Sequence, residues 1–326
     1  MEDTSTSGAS SLAAPLERQP PITRVFTGPS GVRAGWRLLL YVLMVYALGR
    51  LLILGVTHVP WLSQIASPGP MSPGRMISAE ATQFLVVLIP ALIMGRLEWR
   101  SPGAYGLPLR RGSERHLLAG MLWGLVIVSA VIGGIALLHG YDVSGLALSG
   151  GAIVEYGIFW FIAFVLVGFF EEFAFRGYTQ FTLATGIGFW PAAVLLSAAF
   201  GFSHLSNPGE EWVGALQVFL VAMFFCLTLR RTGNLWFAVG VHATFDWAET
   251  FLYSVPNSGQ LATGHLLSSS LHGGPWLSGG SVGPEGSVVC FVVVALAIVV
   301  FAWRYPASDS HPMDRASTPL PAPAPT

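Results

Sequence analysis

Three short motifs place acidic, basic and histidine residues inside strongly apolar stretches of the chain. The motifs are Glu171-Glu172-x-x-x-Arg176, Phe200-x-x-x-His204 and His242-x-x-x-Asp246. A charge at the centre of a membrane helix costs roughly 2.5–3.5 kcal/mol, so residues of this kind mark functional sites by default. Carboxylates and imidazoles together favour acid–base chemistry on a bound water molecule.

The first motif contains two carboxylates, of which one can pair with an arginine on the same helix and the other cannot. A spacing of four residues places Glu172 and Arg176 on one helix face, where they can partly neutralise each other. Glu171 lies about 100° around the helix and has no basic neighbour in the sequence to pair with. The sequence therefore predicts that Glu171 is the group that takes a proton from water.

Helix geometry predicts that the three motifs meet at one depth. If the chain turns near residues 185–188, Glu171 precedes the turn by 14 residues and His204 follows it by 16. At 1.5 Å per residue, both lie roughly 20–25 Å from the turn. Asp246, 13 residues after Gly233, lies roughly 20 Å from its own end of the bundle, and His242 is one helical turn nearer that end. A water between Glu171 and His204 could then attack a peptide carbonyl, with donors near His242 stabilising the oxyanion.

The composition indicates that lipid surrounds most of the chain. Of its 326 residues, 53% are hydrophobic and 10% are charged, and the mean hydropathy is +0.62. Soluble domains carry about 25% charged residues. A net charge of −1 without basic patches excludes a nucleic-acid-binding protein.

Apolar runs near the 20 residues that a membrane-spanning helix needs define the fold class. They lie near 35–56, 79–95, 117–138, 154–184, 189–205, 212–229, 234–253 and 287–303. The sequence therefore predicts an all-α integral membrane protein with about eight transmembrane helices in a bundle. The three motifs predict a polar cavity within it.

Arginine placement predicts the orientation of the bundle. Arginines are frequent before the first run, after the second, after the sixth and after the eighth, at positions including Arg33, Arg37, Arg96, Arg100, Arg110, Arg111, Arg230, Arg231 and Arg304. The positive-inside rule then places both termini in the cytoplasm, and we expect the plasma membrane as the location.

Composition also sets the expected domain limits. Residues 1–33 and the Pro/Ala-rich residues 305–326 are predicted to be disordered tails. Residues 34–304 form the helical membrane domain, with a catalytic core at 154–253. The Gly/Ser-rich segment 254–286 lacks periodicity and is predicted to be a flexible external loop.

The three motifs resemble those of the CPBP intramembrane glutamic endopeptidases. That family includes the type II CAAX prenyl endopeptidases and bacterial relatives linked to bacteriocin self-immunity. The resemblance covers about 155–253. It implies that Glu171 activates the water, that His204 is its partner, and that His242 and the residue at position 246 form the oxyanion site.

The residue at position 246 departs from the family's usual asparagine. An ionised Asp246 would repel an oxyanion, so three interpretations stand: a protonated Asp246, an Asp246 that accepts from His242 and orients its ring, or weak catalysis. The resemblance assigns Glu172 and Arg176 a supporting role in the geometry of the site.

The sequence lacks the motifs of the zinc, serine and aspartyl intramembrane proteases. His-Glu-x-x-His is absent, and no predicted span contains Gly-x-Ser-Gly or Gly-x-Gly-Asp. A zinc site built from Glu171, His204 and His242 is chemically possible, but we expect neither a metal nor a cofactor.

The predicted function is an intramembrane endopeptidase acting on a membrane-associated or lipidated, CAAX-like substrate. Its partners would be membrane lipids and a membrane-anchored protein or peptide. The alternatives are a non-catalytic immunity or scaffold protein of the same fold, and a proton-coupled transporter. A transporter would be expected to show matching interrupted spans, which the sequence lacks.

Overall fold

The computed structural model describes residues 23–28, 31–58, 71–207 and 209–307. The helices are α1 Thr23–Phe26, α2 Ala34–His58, α3 Pro73–Leu97, α4 Ser113–Leu137, α5 Gly151–Arg176, α6 Tyr178–Ile187, α7 Phe189–His204, α8 Trp212–Thr232, α9 Trp236–Trp247, α10 Pro275–Ser278 and α11 Val288–Arg304. A π-helix, Ala248–Leu252, continues α9, and a 3-10 turn, Pro284–Gly286, precedes α11. The strands are β1 Thr27–Gly28, β2 Gly31–Val32, β3 Tyr141–Leu146 and β4 Leu267–Leu271.

Helix length and composition indicate an integral membrane protein. In the described part of the chain, five helical stretches are long and apolar enough to cross a membrane: Ala34–Val56, Pro73–Leu97, Ser113–Leu137, Gly151–Ile187 and Trp212–Thr232. Helices α7 and α11 are apolar but shorter, with 16 and 17 residues. The count of eight spans stays a prediction.

The fourth predicted run, 154–184, is divided into two helices. Helix α5 ends at Arg176, and α6 begins after Gly177. A Cβ atom at Gly177 would collide with the carbonyl oxygen of Phe173, so the break requires glycine. The depth of Glu171 predicted by counting from residues 185–188 requires one continuous helix, so the break means that it does not apply.

Glycines bring α4 and α9 into backbone contact at the centre of the bundle. A Cβ at Gly120 would collide with the carbonyl of Phe237, and one at Gly124 with that of Val241. Small residues four apart allow such close approach between membrane helices. Nine of the 12 residues of α9 are buried, so α9 is an interior element held in a fixed position.

Contacts between distant residues define an Arg-rich end of the bundle, formed by residues 98–112, 233–235, the start of α2 and the end of α6. Arg37 Nη1 lies 3.1 Å from Glu98 Oε2, and Arg37 Nη2 donates to Thr185 Oγ1 at 2.6 Å. The start of α2, the end of α3 and the end of α6 therefore meet.

The opposite, Arg-poor end is formed by residues 138–150, 205–207, 209–211 and 253–287. Strand β3 pairs antiparallel with β4, with Tyr141 opposite Leu271. The backbone N–H of Thr263 donates to the carbonyl of Met71 at 3.1 Å. The segment 254–286 thus contains β4, α10 and the 3-10 turn and is joined to neighbouring loops; its flexibility stays a prediction.

The N-terminal boundary of regular structure differs from the expected one. Residues 23–28 and 31–33 lie within the predicted disordered tail, yet they include α1 and the β1–β2 pair. The ring centroids of Phe26 and Trp36 lie 4.9 Å apart, and Trp36 Nε1 donates to the carbonyl of Val25 at 2.9 Å. These contacts fix the segment against α2. Residues 1–22 and 308–326 of the predicted tails lie outside the described residues.

Candidate active site

Glu172 connects α5 to α9 through two contacts. Its side chain is fully buried, and its Oε1 lies 3.2 Å from Arg176 Nη1 and accepts from His242 Nδ1 at 3.0 Å. Gly168 permits this approach, because a Cβ there would lie only 3.1 Å from the carbonyl oxygen of Val239. Glu172 therefore fixes the orientation of the His242 ring.

Arg176 is held by aromatic faces as well as by Glu172. Its guanidinium carbon lies 4.5 Å from the ring centroid of Phe200 and 5.6 Å from that of Phe225. Its Nε and Nη2 have no hydrogen-bond partner among the described residues. Cation–π contacts of this kind are worth about 2 kcal/mol or more when the cation is desolvated. The supporting pair predicted from the sequence therefore forms within α5.

Glu171 faces the same histidine from its other side. Glu171 Oε2 lies 3.5 Å from His242 Nε2, and Asp246 Oδ2 lies 3.5 Å from the same nitrogen. With Glu172 at Nδ1, three carboxylates surround one imidazole. Glu171 has no basic neighbour in the sequence, but the fold places His242 of α9 next to it.

A cavity of about 300 Å³ brings the predicted site residues together. Glu171, His204, His242 and Asp246 all line it. His204 Nδ1 donates to the carbonyl of Phe200 at 2.9 Å, so Nε2 is the ring nitrogen that remains for another partner. His204 and Glu171 therefore share one cavity.

Two further carboxylates line the cavity and were not predicted from the sequence, and a third, Glu249, lies close to Asp246. Glu80 on α3 and Glu285 in the 3-10 turn line the cavity. The signal in the sequence for Glu80 was an acid at the start of the second apolar run, 79–95. Glu249 was not among the residues predicted for the site, and its side chain is fully buried.

Acidic groups also surround the loop side of the cavity. Burial raises the pKa of Glu285, although its Oε2 accepts hydrogen bonds from Ser258 N at 2.9 Å and Ser258 Oγ at 3.2 Å. Burial, and then the nearby charge of Glu285, raises the pKa of Glu210 in the loop after α7. The Arg-poor end of the cavity is therefore acidic.

One group of carboxylates has the spacing of metal ligands. An oxygen from each of Asp246, Glu249 and Glu285 lies within 4.8 Å of the other two. Among the residues that the structure describes, Glu171, His204 and His242 do not come together at such a spacing.

The helices and the site define an integral membrane protein with an acid- and histidine-lined cavity among apolar helices. Within that class, residues 153–248 match the family model of type II CAAX prenyl endopeptidase Rce1-like proteins. The match covers nearly all of α5 and the whole of α6 to α9, with all three motifs, and confirms the resemblance predicted from them. Because that family is a protease family, the match supports a peptidase. No curated protein matches the chain.

Proposed function

We propose that the protein is an intramembrane endopeptidase of the glutamic type, which hydrolyses a peptide bond with water activated by Glu171. The observation that carries the proposal is the position of Glu171. Its carboxylate lines a cavity among apolar helices and lies 3.5 Å from His242 Nε2. An acid with a purely structural role would not need to face a space large enough for a substrate segment.

The chemistry follows from the two groups that flank the cavity. A water bound between Glu171 and His204 Nε2 gives a proton to Glu171, and its oxygen attacks the peptide carbonyl carbon. The tetrahedral intermediate then collapses, the carbon–nitrogen bond breaks, and Glu171 returns the proton to the leaving amine. General acid–base catalysis of this kind contributes about 10²–10⁴-fold to the rate.

His242 is placed to stabilise the oxyanion. Because its Nδ1 donates to Glu172, its Nε2 is directed toward Glu171 and Asp246. A protonated Nε2 can donate to a developing oxyanion in this position. Glu172 already orients the His242 ring. Of the three interpretations of Asp246, the one in which it orients that ring is therefore the least needed.

The mouth of the cavity indicates where the substrate enters. Exposed Ser203 and Gln260 line it together with Met71, and all three lie at or next to the Arg-poor end. By the positive-inside rule, that end faces away from the cytoplasm, with both termini cytoplasmic. This supports a membrane-anchored substrate whose scissile bond lies toward the external face, in preference to a prenylated tail on the cytoplasmic side.

Comparison of protein termini in membranes that express wild type or Glu171→Gln tests the proposal. We expect a set of new termini that depend on Glu171 and that remain with Glu155→Gln, a control at an exposed acid of the same helix. If Glu171→Gln leaves every terminus unchanged and keeps the full cellular activity, the protein acts as a scaffold or immunity protein instead.

A further inference from the structure

Three carboxylates from separate elements meet beside the cavity, and two of them, Asp246 and Glu285, line it. Asp246 lies on α9, Glu249 on the π-helix and Glu285 on the 3-10 turn. One oxygen from each lies within 4.8 Å of the other two. Like charges so close together, away from water, require either protons or a cation between them.

Glu249 indicates that a ligand binds here, because its carboxylate has no hydrogen-bond partner among the described residues. The side chain is fully buried, and neither of its oxygens accepts a hydrogen bond from any described residue. Buried polar groups are nearly always hydrogen-bonded, paired or coordinated to a metal. Asp246 has His242 and Glu285 has Ser258, so Glu249 is the group left unsatisfied.

The local backbone gathers these carboxylates. Asp246 and Glu249 are three residues apart, which places them side by side on the helix surface. The chain changes from α-helix to π-helix between them, a feature found frequently at functional sites. Ser258 holds one oxygen of Glu285 and leaves the other for a different partner.

We propose that Asp246, Glu249 and Glu285 bind a divalent cation of the oxygen-preferring class, with calcium as the best match. Calcium binds carboxylate oxygens at about 2.3–2.6 Å, so ligands on opposite sides of one ion lie about 4.6–5.2 Å apart. Three oxygens within 4.8 Å of one another can therefore share one ion. An all-carboxylate set suits calcium, magnesium or manganese better than ions that prefer sulfur or imidazole.

A cation could reach these carboxylates through the cavity, and its charge would affect the proposed active site. Asp246 and Glu285 line the cavity, which opens at the Arg-poor end. If the chain is the endopeptidase proposed above, the cation cancels the charge of Asp246 beside His242. An aspartate in place of the usual asparagine then no longer repels the oxyanion. The ion also joins the 3-10 turn to α9.

Direct binding to the full-length protein tests the site. Protein purified in detergent and stripped with a chelator is dialysed to equilibrium against radioactive calcium, with magnesium and zinc as competitors. We expect one calcium per chain, displaced by magnesium more readily than by zinc. Glu249→Gln should weaken binding about tenfold or more, because it removes one of three charged ligands. Glu155→Gln and Glu171→Gln should bind as wild type does.

Thermal unfolding separates a lost ligand from a lost fold. At the same concentration, calcium should raise the melting temperature of wild type more than that of Glu249→Gln, because weaker binding gives less stabilisation. Without the ion, Glu249→Gln should melt no lower than wild type, since it removes a buried charge. The proposal is overturned if wild type binds no divalent ion, or if Glu249→Gln binds calcium as wild type does. It is also overturned if zinc binds and is lost with His204→Ala. Because binding is measured without proteolysis, failure here leaves the proposed hydrolysis untouched.

Discussion

The buried pair of Glu172 and Arg176 should make a large and strongly coupled contribution to stability. Their N···O distance is 3.2 Å and both side chains are fully buried. At an effective dielectric constant of about 20, the Coulomb energy at this distance is about 5 kcal/mol. Removing one partner of such a pair typically costs about 3–5 kcal/mol, because the other is left as an uncompensated buried charge. We therefore expect Arg176→Met to lower the free energy of unfolding by about that amount.

The double variant Glu172→Gln/Arg176→Met tests the origin of that loss. It leaves no lone charge, and the amide oxygen of a glutamine can still accept from His242 Nδ1. We expect it to be more stable than the sum of the two single variants predicts, by about 2–3 kcal/mol.

Equilibrium unfolding in mixed micelles, followed by tryptophan fluorescence, gives the four free energies. The exposed pair Asp142 and His272, at 3.2 Å, provides the control cycle with Asp142→Asn and His272→Gln. Its coupling should stay below about 1 kcal/mol, as is usual for exposed pairs. If Arg176→Met costs less than about 1 kcal/mol, or if the two buried single variants simply add, this account of the pair is refuted.

Other predictions concern catalysis and packing. Glu171→Gln should lower the cleavage rate by about 10²–10⁴-fold in a membrane assay while leaving the unfolding curve near that of wild type; an unchanged rate would remove Glu171 from the mechanism. His204→Ala should lower the same rate without loss of expression, and wild-type turnover would show that His204 does not contact the water. Asp246→Asn should keep or raise proteolysis, since it removes a charge beside the oxyanion, and complete loss of activity would show that the carboxylate itself is required. Gly120→Ala should lower the free energy of unfolding by about 1–3 kcal/mol, because its Cβ would collide with the carbonyl of Phe237; an unaltered unfolding midpoint would contradict the close contact between α4 and α9.

The sequence determined the membrane character and the helical elements, because an apolar run long enough to span lipid must satisfy its backbone hydrogen bonds within itself. Each of the eight predicted runs corresponds to helix in the structure. It also determined the motifs that carry the family resemblance, since their spacing of four residues is a property of one helix turn. The helix break at Gly177 could not be predicted from the sequence. The reason for it is a steric collision with a carbonyl one turn away, which the residue types of an apolar run do not show.

The sequence predicted that the three motifs converge, but only the tertiary structure decided which of their side chains come into contact. Glu171 has no basic neighbour along the chain, yet α9 brings His242 to 3.5 Å from it. Glu249 and Glu285 are 36 residues apart in the chain, and only the fold of the segment between them places their carboxylates together. Helical periodicity fixes neighbours within one helix, whereas contacts between helices depend on close approaches such as that at Gly168, which a single sequence does not specify.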